Sequence, residues 1–267
     1  MLKLGWFSTG RGEGSLGLLR TVQDAIASGE LPARMEFVFS NREPGEAEGS
    51  DRFFRQVRDF GTPLVTLSSQ RFRREQGGGP FSRHRANFDR EVMRLLEPYN
   101  PDVSMLAGYM LITAGEMCNL YTMLNIHPAL PGGPVGTWQD VIWDLIAQGG
   151  SEAGAYVHLA TEDLDRGPVL TYCSFPVRGS DFDELWRLVE GHSVEELKAT
   201  EGEELLLFRR IREEGVRRER PLVVETLKAF AAGLVGVVDG LVLDWEGKAI
   251  QGLCLNEEIE NSIRDAG

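Results

Sequence analysis

With 267 residues, 42% hydrophobic and 26% charged, the chain is long enough for one large α/β domain, or for one of about 200 residues with a small extension. A formal net charge of −13 and a pI of about 4.9 argue against a nucleic-acid partner, which needs a basic face, and against an anionic membrane. They leave room for a small anionic substrate, because backbone N–H groups alone can hold a phosphate.

The N-terminus reads Met1-Leu2-Lys3-Leu4-Gly5-Trp6-Phe7, a strand pattern with no signal-peptide features. Ser8 to Ser15 is a Gly-rich turn, and Leu18, Leu19, Val22 and Ile26 then mark a helical stripe. Met35 to Phe39 predicts a second strand, ending in Ser40-Asn41-Arg42. A helix over Phe53 to Phe60 and a strand over Leu64 to Leu67 follow, and the polar segment Ser68 to Pro80 predicts a mobile loop. Arg85 to Leu96 is amphipathic. Val103 to Ala107 predicts a fourth strand, followed by Gly108-Tyr109-Met110, and a short helix from Ala114 leads to the strand ending Asn125-Ile126-His127-Pro128. Leu130 to Gly136 reads as loop and Thr137 to Ala147 as helix. Two strands, Tyr156 to Ala160 and Val169 to Cys173, flank Glu162-Asp163-Leu164-Asp165-Arg166-Gly167-Pro168. Long helices are expected over about Asp183 to Leu197 and Glu204 to Phe230, and a closing hairpin over Leu241 to Ile250. Strands alternating with helices predict an α/β fold: a Rossmann-like open, mainly parallel sheet flanked by helices, with a C-terminal helical and hairpin elaboration. Residues 1–200 are read as the α/β domain and 201–267 as an extension packed on it. Three scattered cysteines, Cys118, Cys173 and Cys254, fit no metal or disulfide spacing and suit a reduced cytoplasm. No apolar run approaches the ~18 residues of a membrane helix.

Three constellations could carry chemistry. In the turn at Gly12-Glu13-Gly14-Ser15, glycine lets the backbone approach a ligand, and the helix start offers free N–H groups to an anion; the plain alternative is a tight βα turn. The turn matches neither a dinucleotide fingerprint nor a Walker loop. Asn125 and His127 stand two apart, so on a strand they share a face, and an amide donor beside an imidazole can hold an oxyanion and move a proton. Asp165, before Gly-Pro, is either a turn residue or a carboxylate that returns to the histidine. The spacing leaves both open.

These pieces, in this order, resemble the 10-formyltetrahydrofolate-dependent formyltransferases, closest to the glycinamide ribonucleotide formyltransferases of purine synthesis. The resemblance runs from the first strand to about Val177. It is carried by Phe39-Ser40-Asn41-Arg42, Pro101-Asp102-Val103, Leu106-Ala107-Gly108-Tyr109-Met110, Asn125-Ile126-His127-Pro128-Ala129-Leu130, and Val157-His158 leading to Asp163-Leu164-Asp165-Arg166-Gly167-Pro168-Val169. It implies a formyltransferase fold and a catalytic trio of Asn125, His127 and Asp165. It implies a substrate phosphate at Gly12, Glu13, Gly14 and Ser15, and a folate cleft formed by Arg85, Tyr109, Met110, Leu111, Ile112, Ala160, Thr161 and Asp163. The co-substrate would be 10-formyltetrahydrofolate, without a metal. The partners would be small molecules, with no nucleic acid or membrane and a homodimer left open, in the cytoplasm.

The chain departs from the family at Leu111, where the family carries arginine, at Glu13 beside the phosphate turn, and at Pro131-Gly132-Gly133 after the histidine. These changes put the acceptor amine in question. A nucleotide amino sugar, or binding without turnover, stands as the alternative. A methionyl-tRNA formyltransferase would need a basic surface and a C-terminal barrel, and a formyltetrahydrofolate hydrolase a further N-terminal domain. The arginines at 209, 210, 212, 217, 218 and 220 could face a phosphate, but read better as a solvated face.

Overall fold

The computed structural model describes residues 1–163 and 165–265. The motif residue Leu164 and the last two residues of the expected extension lie outside them. The chain alternates β1 (Leu2–Phe7), α1 (Glu13–Ala27), β2 (Ala33–Ser40), α2 (Glu48–Asp59), β3 (Leu64–Thr66), α3 (Ser69–Glu75), α4 (Arg85–Leu96), β4 (Val103–Leu106), α5 (Gly115–Leu120) and β5 (Met123–His127). Then follow α6 (Trp138–Ala147), β6 (Glu152–Leu159), β7 (Val169–Pro176), α7 (Ser180–Val189), α8 (Val194–Thr200), α9 (Leu206–Ala231), β8 (Val235–Val238), β9 (Leu241–Asp244), β10 (Leu253–Cys254) and α10 (Asn256–Asp265). No described helix is long and apolar enough to cross a membrane.

The main sheet has eight strands in the order β10-β7-β6-β5-β4-β1-β2-β3. It is parallel except where β6 pairs with β5 and with β7. Alternation along the strands divides the core. Trp6 and Val38 point to the face covered by α1, α2 and α9, among Leu19, Phe53, Leu222 and Leu227. Phe7, Phe37 and Phe39 point to the other face, where α4 lays down Phe88, Val92 and Leu96. Each of these phenylalanines is fully buried, and burying one contributes about 1.5–3 kcal/mol. The C-terminal segment is part of this packing. α9 crosses β6 and β7 and rests on α1, and β10 adds a parallel edge strand beside β7.

Three expectations are corrected. Ser68 to Pro80 is not all loop: the Ser68 side chain accepts a hydrogen bond from the Arg71 N–H, and Phe72 packs edge-on against Phe88, so α3 forms. The helix expected over Asp183 to Leu197 is two. Gly191 stands at φ +81°, and Ser193 and Glu196 form a capping box that starts α8 afresh. The hairpin closes earlier than expected. Asp239 and Gly240, both at positive φ, turn β8 into β9, and the stretch from Leu241 to Ile250 then folds back on itself through the bridge between Leu243 and Ala249 and the backbone hydrogen bonds from Asp244 to Lys248 and from Ile250 to Val242.

Candidate active site

β5 is buried at its start and ends in polar groups. Ile126 packs toward the α9 face, so Asn125 and His127 share the opposite one. β6 runs against β5 in a register that sets His158 opposite Asn125 and Tyr156 opposite His127. The pleat therefore gathers four polar side chains on one face. The rings of His127 and Tyr156 lie 5.3 Å apart, and those of Tyr156 and His158 5.4 Å apart.

The connection from β6 to β7 folds back over this face. Two features hold it there. The backbone of Gly167 passes so close to the Leu159 carbonyl that a Cβ would overlap that oxygen. The Tyr156 hydroxyl donates to the Asp165 carbonyl at 3.0 Å. Asp165 sits at φ +53°, a region that aspartate tolerates better than most residues. Its carboxylate lands above the strand pair. Oδ1 accepts from Asn125 Nδ2 at 3.2 Å and lies 3.6 Å from His158 Nε2. Oδ2 lies 3.6 Å from His127 Nδ1. Both imidazoles are almost fully buried, and the Asp165 side chain is only 9% exposed.

Burial alone would push the Asp165 carboxyl up. The two histidines and the Asn125 amide outweigh it and hold the group below its ordinary value, so it is a carboxylate at neutral pH. Each histidine also faces a carbonyl oxygen. His127 Nε2–H donates to Pro134 at 2.9 Å, and His158 Nδ1–H to Leu159 at 3.0 Å. A carbonyl only accepts, so a proton is fixed on each of those nitrogens. His127 thus has the Pro134 carbonyl on one nitrogen and the Asp165 carboxylate 3.6 Å from the other. Asn125 retains a second Nδ2–H for a ligand. Burial, followed by the Asp165 charge, pushes the Tyr156 phenol up to about 12, so it stays a hydrogen-bond donor.

A small cleft opens beside this cluster. Asn125, His158 and Asp165 line it together with Tyr109, Leu111, Ile112, Ala160 and Thr161. The other residues read as folate-binding lie apart from it. Met110 is 61% exposed, Asp163 lines a neighbouring cavity that shares Ala160 and Thr161 with the cleft, and Arg85 stands at the start of α4 near Asp89. Asp89, buried under the cleft, accepts from the Ala114 N–H at 2.6 Å and so fixes the start of α5. Burial raises its carboxyl to about 6, against the pull of that N–H and of Arg85.

The Gly-rich turn opens α1. Gly12 is the N-cap, Glu13 and Gly14 are exposed, and Ser15 Oγ donates to the Gly12 carbonyl. Arg52 of α2 pairs with Glu13 at 2.6 Å and offsets the negative charge there. Gly108, at φ +68°, brings the end of β4 against Ser15: a Cβ at that position would lie 3.0 Å from the serine Cβ. The arginines of α9 are mostly matched to carboxylates. Arg209, Arg210, Arg212 and Arg218 pair with Glu204, Glu214, Glu219, and Glu214 with Glu260. Arg220 packs instead against Gly17 of α1. Among the described residues, no group of three His, Cys, Asp or Glu side chains is placed to hold a metal.

The structure thus brings Asn125, His127 and Asp165 together and adds two residues that sequence reasoning left without a role, His158 and Tyr156. Their signal was present as a strand alternation, Tyr-Val-His, which puts both on one face. What was missing was the antiparallel register that turns that face toward Asn125 and His127.

Residues 12–185 match the formyl transferase family model. The phosphoribosylglycinamide formyltransferase of Escherichia coli is 30% identical over 168 residues, which cover 62% of this chain and 71% of that one. The enzyme of the same name from Haemophilus influenzae is 26% identical, over 87% of this chain and 90% of its own. Among solved structures, the phosphoribosylglycinamide formyltransferase of Coxiella burnetii superposes with a TM-score of 0.67 at 22% identity, covering 95% of this chain and 98% of that one.

Proposed function

This chain belongs to the formyl transferase family, and on that premise we propose that it transfers a formyl group from 10-formyltetrahydrofolate to the amine of glycinamide ribonucleotide, a step of purine biosynthesis. The observation that carries the reading is the Asp165 carboxylate, placed between His127, His158 and Asn125 at the edge of a cleft.

In the reaction, a bond forms from the acceptor nitrogen to the formyl carbon, the bond from that carbon to the folate nitrogen breaks, and a proton passes from the first nitrogen to the second. Negative charge gathers on the formyl oxygen on the way. The second Nδ2–H of Asn125 and a ring N–H of His127 are the donors to meet it, and such donors in a water-poor site stabilise a developing oxyanion strongly. To reach the oxygen, His127 exchanges one of its present acceptors for the substrate. Asp165, ionised and held low, is a weak base by itself. Its negative charge stabilises the protonated imidazole and orients it, and the pair passes the proton on. The folate would lie along Tyr109, Leu111, Ile112, Ala160 and Thr161. The acceptor phosphate would sit at the N-terminus of α1, where Gly14 and Ser15 offer N–H groups, Gly12 holds the Ser15 hydroxyl, and Arg52 offsets Glu13.

The test is an assay of the purified protein with 10-formyltetrahydrofolate and glycinamide ribonucleotide, followed by the mass of the acceptor and by the release of tetrahydrofolate. Formylated acceptor is expected at turnover rates. Transfer to a nucleotide amino sugar, with none to glycinamide ribonucleotide, would replace the acceptor. Tight folate binding without any transfer would leave a binding protein.

A further inference from the structure

The motif Phe39-Ser40-Asn41-Arg42 carries the family resemblance, yet nothing in the mechanism above uses it. Asn41 is 5% exposed and sits at the end of β2, well away from His127 in the sheet order. Its Oδ1 accepts a hydrogen bond of 2.7 Å from the hydroxyl of Thr9, itself 3% exposed. The same hydroxyl accepts the backbone N–H of Met110 at 2.9 Å. On its other side, Asn41 donates from Nδ2 to Ser69 Oγ at 3.2 Å.

Thr9 is bonded at every polar atom. Its N–H donates to the Gly108 carbonyl at 3.1 Å, and its carbonyl accepts from Ser50 Oγ at 3.2 Å. It therefore joins three segments. Ser8 to Gly12 open α1, where the acceptor phosphate is placed. Gly108 to Thr113 form the folate wall. The end of β2 anchors both.

Two bimolecular partners react only when they are held at near-bonding distance, and a misplacement of about 1 Å can cost about 100-fold in rate. The Thr9 hydroxyl is the direct side-chain bond between the acceptor turn and the donor wall, and Asn41 fixes its rotamer by accepting its O–H hydrogen bond. With the proton committed to Asn41, the oxygen lone pairs face Met110. We propose that Thr9 and Asn41 are positioning residues for formyl transfer: a buried strut that sets the spacing between the acceptor-side turn and the folate-side segment. This rests on the proposed reaction for its kinetic readout, so the experiment includes a second readout that does not.

The experiment compares Thr9→Val, which keeps the shape and removes both hydrogen bonds, with Thr9→Ser, which keeps both. Ser69→Ala serves as a control: it loosens Asn41 from its other partner but leaves the strut in place. Steady-state kinetics, thermal unfolding and the hydrogen exchange of the Met110 amide by NMR are measured on each full-length protein. Thr9→Val is expected to lose about 10- to 100-fold in kcat, with the KM for each substrate within about threefold, because binding of either partner alone does not need the spacing. Its Met110 amide exchanges faster. Thr9→Ser stays within about threefold of the parent in every measure, and Ser69→Ala keeps kcat even where its Tm falls as far as that of Thr9→Val.

An unchanged kcat in Thr9→Val overturns the proposal, as does an equal loss in Ser69→Ala at equal Tm, which would make the effect one of stability. If the parent itself transfers no formyl group, the reaction is wrong. The strut then stands or falls on Met110 exchange alone: unchanged exchange in Thr9→Val removes it.

Discussion

At the scale of single residues, the site is a carboxylate shared among donors. Asp165 is ionised because two histidines and an amide face it, and its two oxygens divide them: Asn125 and His158 on one, His127 on the other. His127→Ala and Asp165→Ala are therefore each expected to lower kcat by about 10³-fold while the fold is kept, the size typical of removing a positioned acid–base group. Near-parental turnover in either would remove that residue from the mechanism. His158 has a buried Nε2 with no hydrogen-bond partner among the described residues, and Asp165 as its nearest charge. In the proposed reaction it would act through Asp165. His158→Asn is expected to lower kcat about 10-fold, with folate affinity little changed, and to move the acid limb of the pH–rate profile; a proportional fall in both parameters with a fixed profile would make it merely structural. That Asn125, His127 and Asp165 meet in space could be anticipated because they stand in two compact motifs; their catalytic part is the proposal. That His158 and Tyr156 join them could not, because a histidine and a tyrosine within an apolar strand look like ordinary core until the facing strand is known.

Elements decide where those residues meet. The amphipathic stripes of α1, α4 and α9 and the apolar strands were legible, since burial on one face imposes a period that sequence carries openly. Breaks were harder. The split between α7 and α8 depends on one glycine and a capping box, and α3 on a serine cap with one aromatic contact, all signals only a residue or two long. α4 also does work that its stripe does not announce: it buries Asp89, whose carboxylate caps the start of α5. The sign of the resulting pH dependence follows from the direction of the shift. The folded-state value, about 6, lies above the ordinary 3.8, so the folded protein binds the proton more tightly than the unfolded one. Stability from this group is complete below about pH 4, declines as pH rises to about 6, and is level above. The span corresponds to roughly 3 kcal/mol. Urea unfolding of Asp89→Asn across pH 4 to 7 is expected to show that decline abolished, with the Ala114 N–H still accepted by the amide oxygen. A parallel decline in the variant would assign it to another group.

For the whole molecule, the open sheet and its flanking helices were legible, and the role of the last sixty residues was not. Read from sequence, the α9 arginines suggested a solvated face. In the structure Arg209 and Arg210 do stay well exposed, but with Arg212 and Arg218 they pair with carboxylates, and Arg218 is the most buried of the four: 9% exposed, over the ring of Phe175, and bonded to Glu214 and to Glu260 of α10. Arginine runs of this kind carry no period that separates a paired ladder from a wet surface, because the partners lie on other helices. Arg218→Ala leaves Glu214 with Arg210 as its remaining partner and Glu260 open to solvent, so it is expected to cost about 1.5–3 kcal/mol by denaturant unfolding, the range of a charged hydrogen bond, and Glu214→Gln added to it to cost less than it does alone. Additive losses in the double variant would show that the two do not interact. The overall charge of −13 reflects 41 aspartates and glutamates against 28 lysines and arginines, so the arginines find carboxylate partners readily.

The pairing of β5 with β6 has one more consequence, for how the protein can be watched as it folds. Because side chains alternate along a strand, a slip of one residue would turn Tyr156 and His158 to the far side of the sheet while leaving nearly the same number of backbone bonds. Such a molecule would look native by circular dichroism and be silent in the assay. Recovered activity after refolding, divided by recovered ellipticity, therefore counts the molecules whose two central strands have found each other in step.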